Sequence, residues 1–155
     1  MKEAYMLRIL TPILLVLVGS LISAPFASAD VDPQSPEGCV ILKPALTDLD
    51  AKFGQSVQLV ISSKYETFRI SDDGRWAFVY AKMRNASGGP VAYLDSEDAE
   101  AAKHGAKSQQ YAGLLQRGDT GQWTLITSSI GPTDVPWVTW SRDYSAPPEL
   151  FPAAH

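Results

Sequence analysis

Residues Arg75 to Met83, Arg-Trp-Ala-Phe-Val-Tyr-Ala-Lys-Met, constrain the fold more than any other stretch of the chain. Side chains alternate across an extended strand. Trp76, Phe78 and Tyr80 therefore fall on one face, and Ala77, Val79 and Ala81 on the other. Large residues on one side and small ones on the other suit a sheet with a helix packed against one face. The pattern leaves open which face meets the helix.

The neighbouring segments fit a sheet around this strand. Asp72-Asp73-Gly74 reads as a hairpin turn before it. Upstream, Val57, Leu59 and Ile61 alternate with polar positions, and Tyr65 and Thr67 keep that parity. Phe68 and Ile70 break it, so one long strand with a bulge or bend is expected there. Downstream, residues 108–117 and 122–130 flank Gly118-Asp119-Thr120-Gly121 and form a second hairpin. Between the hairpins, residues 95–107 begin acidic and end with Lys103 and Lys107, as a helix dipole favours. With no apolar face beyond alanine, this stretch reads as an exposed short helix or an excursion.

One amphipathic helix precedes the strands. Leu42, Leu46, Leu49 and Phe53 are spaced four, three and four, which places them on one helical face. Gly54 is a natural stop, because glycine tolerates positive φ. Pro44 is harmless only in a first turn, so the helix is expected to begin near Lys43. Asp30 to Gly38, with Pro33 and Pro36, reads as a tether.

The start of the chain has the layout of an export signal. Lys2 and Arg8 precede an uncharged apolar run, and Ala27-Ser28-Ala29 is an A-x-A cleavage sequence. The run falls short of the about 20 apolar residues of a spanning helix, and Pro12 and Gly19 interrupt it. A signal peptide over residues 1–29, a tether over 30–38 and one domain over 39–155 are expected, the product being periplasmic or secreted. Cleavage after Ala29 leaves 126 of the 155 residues. It moves the formal net charge from −4 to −5, because Lys2, Arg8 and Glu3 leave together. An acidic domain without a basic stripe is a poor partner for nucleic acid or anionic lipid, and no membrane association is expected after cleavage.

The one cysteine, Cys39, forms no internal disulfide. Beside Val40-Ile41-Leu42 it reads as a buried thiol, the alternatives being an intermolecular disulfide or a nucleophile. The two histidines, His104 and His155, lie far apart in unlike contexts. They offer neither a base for Cys39 nor a metal-ligand spacing, so no metal and no cofactor are expected.

Residues 131–155 form a tail rich in proline and aromatics. Its prolines argue against regular structure, and its aromatics against exposure to water. The tail is expected to wrap over the domain and dock through Trp137, Trp140, Tyr144 and Phe151. The fold class is thus α+β: an N-terminal helix on a curved antiparallel sheet of about four strands, with the tail docked on it.

The hairpin YAGLLQRGDTGQWTLI, residues 111–126, resembles the late strands of nuclear transport factor 2-like and cystatin-like domains. That resemblance implies one or more helices packed on a curved sheet. Nuclear transport factor 2-like domains usually begin with more helix than this chain shows, which favours the simpler helix-plus-meander form. The stretches DGRWAFVYA, YAGLLQR…GQWTLI and IGPTDVPWVTWSRDYSAPPELF resemble a group of small exported bacterial proteins without an assigned activity. This second resemblance implies a shared fold and compartment and no reaction.

Candidate ligand-binding residues are Trp76, Tyr80, Asp134, Trp137, Trp140, Arg142 and Tyr144, an aromatic group with polar residues at its rim. Aromatic clusters are more often core than site, and on that reading Asp134 caps a turn and Arg142 pairs with an acid. A non-catalytic binding or interaction module for a small molecule, a cell-wall fragment or an envelope protein is one reading. A second is a small lyase or isomerase: some nuclear transport factor 2-like enzymes pair a carboxylate base with a tyrosine hydroxyl. Asp134 with Tyr144 or Tyr80 would be that pair. It requires a buried carboxylate of raised pKa within reach of a hydroxyl. Inhibition of a cell-wall hydrolase is a third reading, for which no particular residue argues.

Overall fold

A computed structural model of the chain describes residues 28–153. Most of the expected signal peptide, residues 1–27, lies outside the described residues.

The first long element is α1, Pro36–Phe53. It starts a full two turns earlier than Lys43. The Ser35 hydroxyl accepts a hydrogen bond from the Gly38 amide, and Pro36 fills the first helical position, where its missing N–H is no loss. Gly38 is buried under the incoming chain, and a Cβ there would overlap the Asp32 carbonyl oxygen. The expected tether is therefore folded structure: its first residue lies in a strand and its last three open α1. Pro44 consequently sits mid-helix, where it cannot donate to the Val40 carbonyl. Ile41, Leu42, Ala45, Leu49 and Phe53 are buried, Leu46 is half-buried, and Gly54 ends the helix at φ 62°.

This helical phase turns Cys39 outward. The thiol is free and exposed, not buried as expected, and Val40 beside it is exposed too. Their apolar surroundings in the sequence mislead, because consecutive residues point about 100° apart on a helix.

Six strands make one antiparallel sheet: β1 (Ala29–Asp30), β2 (Val57–Val60), β3 (Thr67–Ile70), β4 (Trp76–Asn85), β5 (Gln110–Arg117) and β6 (Trp123–Ile130). The order is β1-β3-β4-β5-β6, and β2 also pairs with β4. The expected single strand over 57–70 is thus two. Val57–Val60 pairs with residues 82–85 of β4, and Thr67–Ile70 pairs with residues 77–80. The turn between them shifts the side-chain parity, so that Leu59 and Phe68 face the same core. The Asp72-Asp73-Gly74 turn forms as expected, with Asp73 accepting from the Ser71 hydroxyl and the Arg75 amide.

The structure decides which face of β4 meets the helix. Ala77, Val79, Ala81 and Met83 pack under α1 together with Tyr111 and Leu115 of β5. α1 itself runs over β6, β2 and β5, and the small β4 side chains lie in the core they share. Phe78 lies on the opposite face with Ala112 and Leu114, and the C-terminal segment covers it. That segment is more regular than expected. It holds two 3₁₀ turns, Pro136–Thr139 and Pro148–Leu150, around a short helix α3, Trp140–Tyr144. Pro136 and Pro148 stand at first-turn positions, so they start these turns instead of forbidding them.

Trp137, Trp140 and Leu150 are buried. Phe78 is the hub of this layer. Its ring meets Trp137, Trp140 and Phe151 edge-on at 5.3, 6.3 and 5.0 Å. Of the four aromatics expected to dock, Tyr144 is the exception, at 38% exposure.

Between β4 and β5 the chain makes an excursion containing α2, Ser96–Lys103, capped by Asp95. None of its residues is buried. Ion pairs hold it down: Asp98 meets Lys52 of α1 at 2.8 Å and Lys107 at 3.2 Å. No helix among the described residues is long and apolar enough to cross a membrane.

Candidate functional site

A concavity of about 490 Å³ lies on the tail-covered face of the sheet, at its β3 end. Thr67 and Arg69 of β3 and Tyr80 of β4 form its sheet side, because Thr67 registers with Tyr80. The turn before β3 supplies Ile61, Lys64, Tyr65 and Glu66. The tail supplies Asp134, Val135, Trp137 and Pro152, and Asp30 of β1 stands beside Arg69. The result is a half-open groove between a tight turn and the docked tail, within the about 300–1,000 Å³ typical of small-molecule sites.

Glu66 organises the turn wall. Its carboxylate accepts hydrogen bonds from the Ser62 amide and hydroxyl, the Ser63 amide and the Gln110 side chain. The residue is 7% exposed. Burial, the largest single influence, favours the neutral acid, but the four donors together outweigh it and hold the carboxyl below its ordinary value. Glu66 is therefore a fixed anion. Burial raises the Tyr80 phenol, with the Glu66 charge adding to the effect, so that hydroxyl stays protonated.

The aromatic wall is rigid at one end and free at the other. Trp137 and Tyr80 pack at 4.6 Å between centroids, and the Trp137 indole N–H donates to the Pro152 carbonyl. Trp137 therefore offers the groove only ring surface. Tyr65 is 65% exposed, with the Lys64 ammonium 5.0 Å above its ring. Arg69 donates through Nε to Asp30 at 3.2 Å.

The seven candidates from the sequence divide sharply. Tyr80, Asp134 and Trp137 line the groove. Trp140 is core, and Trp76 is half-buried against the same cluster. Arg142 extends into solvent and bonds its own neighbour Asp143 at 3.0 Å. Tyr144 is outside the groove and partly exposed. Sequence reasoning missed the turn wall and Arg69. The available signal was the loss of parity at Phe68, together with Ser62 and Ser63 standing four and three residues before Glu66.

The carboxylate-and-hydroxyl reading finds little here. Asp134 is exposed, and Tyr144 does not share its groove. Glu66, buried and near Tyr80, is held below its ordinary pKa by its donors, which makes it a weaker base than a free carboxylate. Among the described residues no group of three or more His, Cys, Asp and Glu side chains could hold a metal ion.

The fold and groove together define an α+β domain with a half-open cleft on one sheet face. No protein-family model, curated protein or solved structure matches the chain.

Proposed function

We propose that this protein is an exported, non-catalytic binding module whose ligand sits in the groove between the 61–66 turn and the tail. One observation carries the reading: a half-open cleft of about 490 Å³ has exposed aromatic surface and polar groups already fixed in place by the fold. Glu66 is held by four donors and Trp137 by Pro152, so the cleft exists before any ligand arrives. Preformed sites lose less free energy to ordering on binding. Export is supported by the charged start, the apolar run and the A-x-A sequence of residues 1–29. The layout of one long helix across an antiparallel sheet supports a cystatin-like architecture over a nuclear transport factor 2-like one.

Ligand-observed NMR of the whole protein against a small-molecule library tests the reading. Hits are expected, and Tyr65→Ala should abolish them without altering the melting temperature, because Tyr65 is exposed. A library without a hit, or hits indifferent to both Tyr65→Ala and Tyr80→Ala, would refute it.

A further inference from the structure

We infer that the groove takes a neutral glycan, a short stretch of a polyhydroxylated chain; this rests on the groove being the binding site. The charges around it decide the class. Cations and anions are both present, and neither sign dominates. Arg69 is matched by Asp30, and Glu66 is fully engaged by its four donors. Lys64, whose ammonium lies over the Tyr65 ring, and Asp134 make no ion pair among the described residues, which leaves one cation and one anion on the lining without a charged partner.

A polyanionic ligand would meet Asp30, Glu66 and Asp134 together, and like charges brought together in a cleft repel. An acyl chain would desolvate Lys64 and Asp134 without offering either a partner, which costs binding energy at each. A sugar ring satisfies both demands. Its hydroxyls donate to the carboxylates and accept from Lys64, Arg69 and the protonated Tyr80 phenol, and hydrogen bonds to charged groups are the stronger kind.

Its C–H faces need flat apolar surface, and the groove supplies it in two forms. Tyr80 backed by Trp137 is a fixed plate. Tyr65 is a large aromatic left 65% exposed, poised at the end of the turn that Glu66 locks. A half-open cleft rather than a closed cavity also suits a chain segment whose ends run out into solvent.

The test is calorimetric and NMR titration of the whole protein with cellobiose, maltotriose and N,N′-diacetylchitobiose, alongside dodecanoate and inorganic phosphate. At least one of the three sugars should bind saturably. Tyr65→Ala should weaken it at least about ten-fold, while Tyr65→Phe, which keeps the ring, should leave it nearly unchanged. Asp134→Asn should weaken it by a smaller factor. If dodecanoate or phosphate binds in a Tyr65- or Tyr80-dependent way and the sugars do not, the glycan class falls and the groove remains a binding site. Sugar binding indifferent to Tyr65, Tyr80 and Asp134 substitution would place the glycan elsewhere and overturn the inference. Silence from all five probes overturns it as well, and a silent library in the preceding experiment would show that the groove itself had failed.

Discussion

The two faces of the sheet are covered by different means. Under α1 the layer is regular: one helix of 18 residues lays an aliphatic stripe across the alanines, Val79 and Met83 of the sheet. Under the tail the layer is irregular. Three short turns position Trp137, Trp140 and Leu150 around Phe78, with Phe151 at the margin. The helix covers its face together with the segment after β4, whose Val91 and Tyr93 join the same core. A segmented strap closes only what its aromatics reach, and the sheet surface beyond Trp137 stays open as the groove. The cleft arises where the aromatic cover of the second face runs out.

The hardest test of this contrast is truncation before Pro136. It strips the whole aromatic layer from Phe78, and the cooperative thermal transition should disappear. A retained transition near the original temperature would show that the α1 face alone sustains the domain. Next in size, Phe78→Ala should cost about 3–5 kcal/mol, because a fully buried ring is replaced by a cavity among three others. Leu49→Ala, on the helical side, should cost about 2–5 kcal/mol. Chemical denaturation separates the two faces: if Phe78→Ala costs under about 1 kcal/mol, the strap is decoration.

Removing the cap of α1 by Ser35→Ala should cost about 0.5–2 kcal/mol. An effect near zero would mean that the helix starts later than Pro36. The smallest effect expected is at Tyr144→Ala, within about 0.5 kcal/mol, because the side chain is outside both layers.

A pH titration sharpens the account of the groove wall. The folded-state pKa of Glu66 lies below its ordinary value of 4.5, so its contribution is fully present above that value. It is lost as pH falls toward the folded pKa. In denaturant melts across pH 3–6, Glu66→Gln should flatten this acid limb relative to the parent. An unchanged limb would assign acid sensitivity to other carboxylates, Asp98 between Lys52 and Lys107 being the next to test.

Much of the sheet was legible because period-two alternation follows directly from strand geometry. β4, β5 and β6 lie where their patterns place them, and the α1 stripe was legible for the same kind of reason. The start of α1 was not. Pro44 and the Pro33–Pro36 stretch outweigh a serine cap in any local reading, whereas burial of Gly38 under Asp32 is a contact between segments. The break at 61–66 was visible as a parity error but not as two strands. Only Glu66 bonding back to Ser62 and Ser63, and across to Gln110, makes a turn of it.

By itself, the order of residues determined the alternating strands, the amphipathic stripe and the presence of an aromatic tail that water would not tolerate. Tertiary structure alone decided that the alanine face meets the helix, that Trp140 fills core while Trp137 edges a cleft, and that Glu66 and Arg69 join Tyr80 there. Periodicity records which side of an element is apolar, and it is local. A groove is the space left between elements, so it depends on where packing stops, which is a property of the assembled chain.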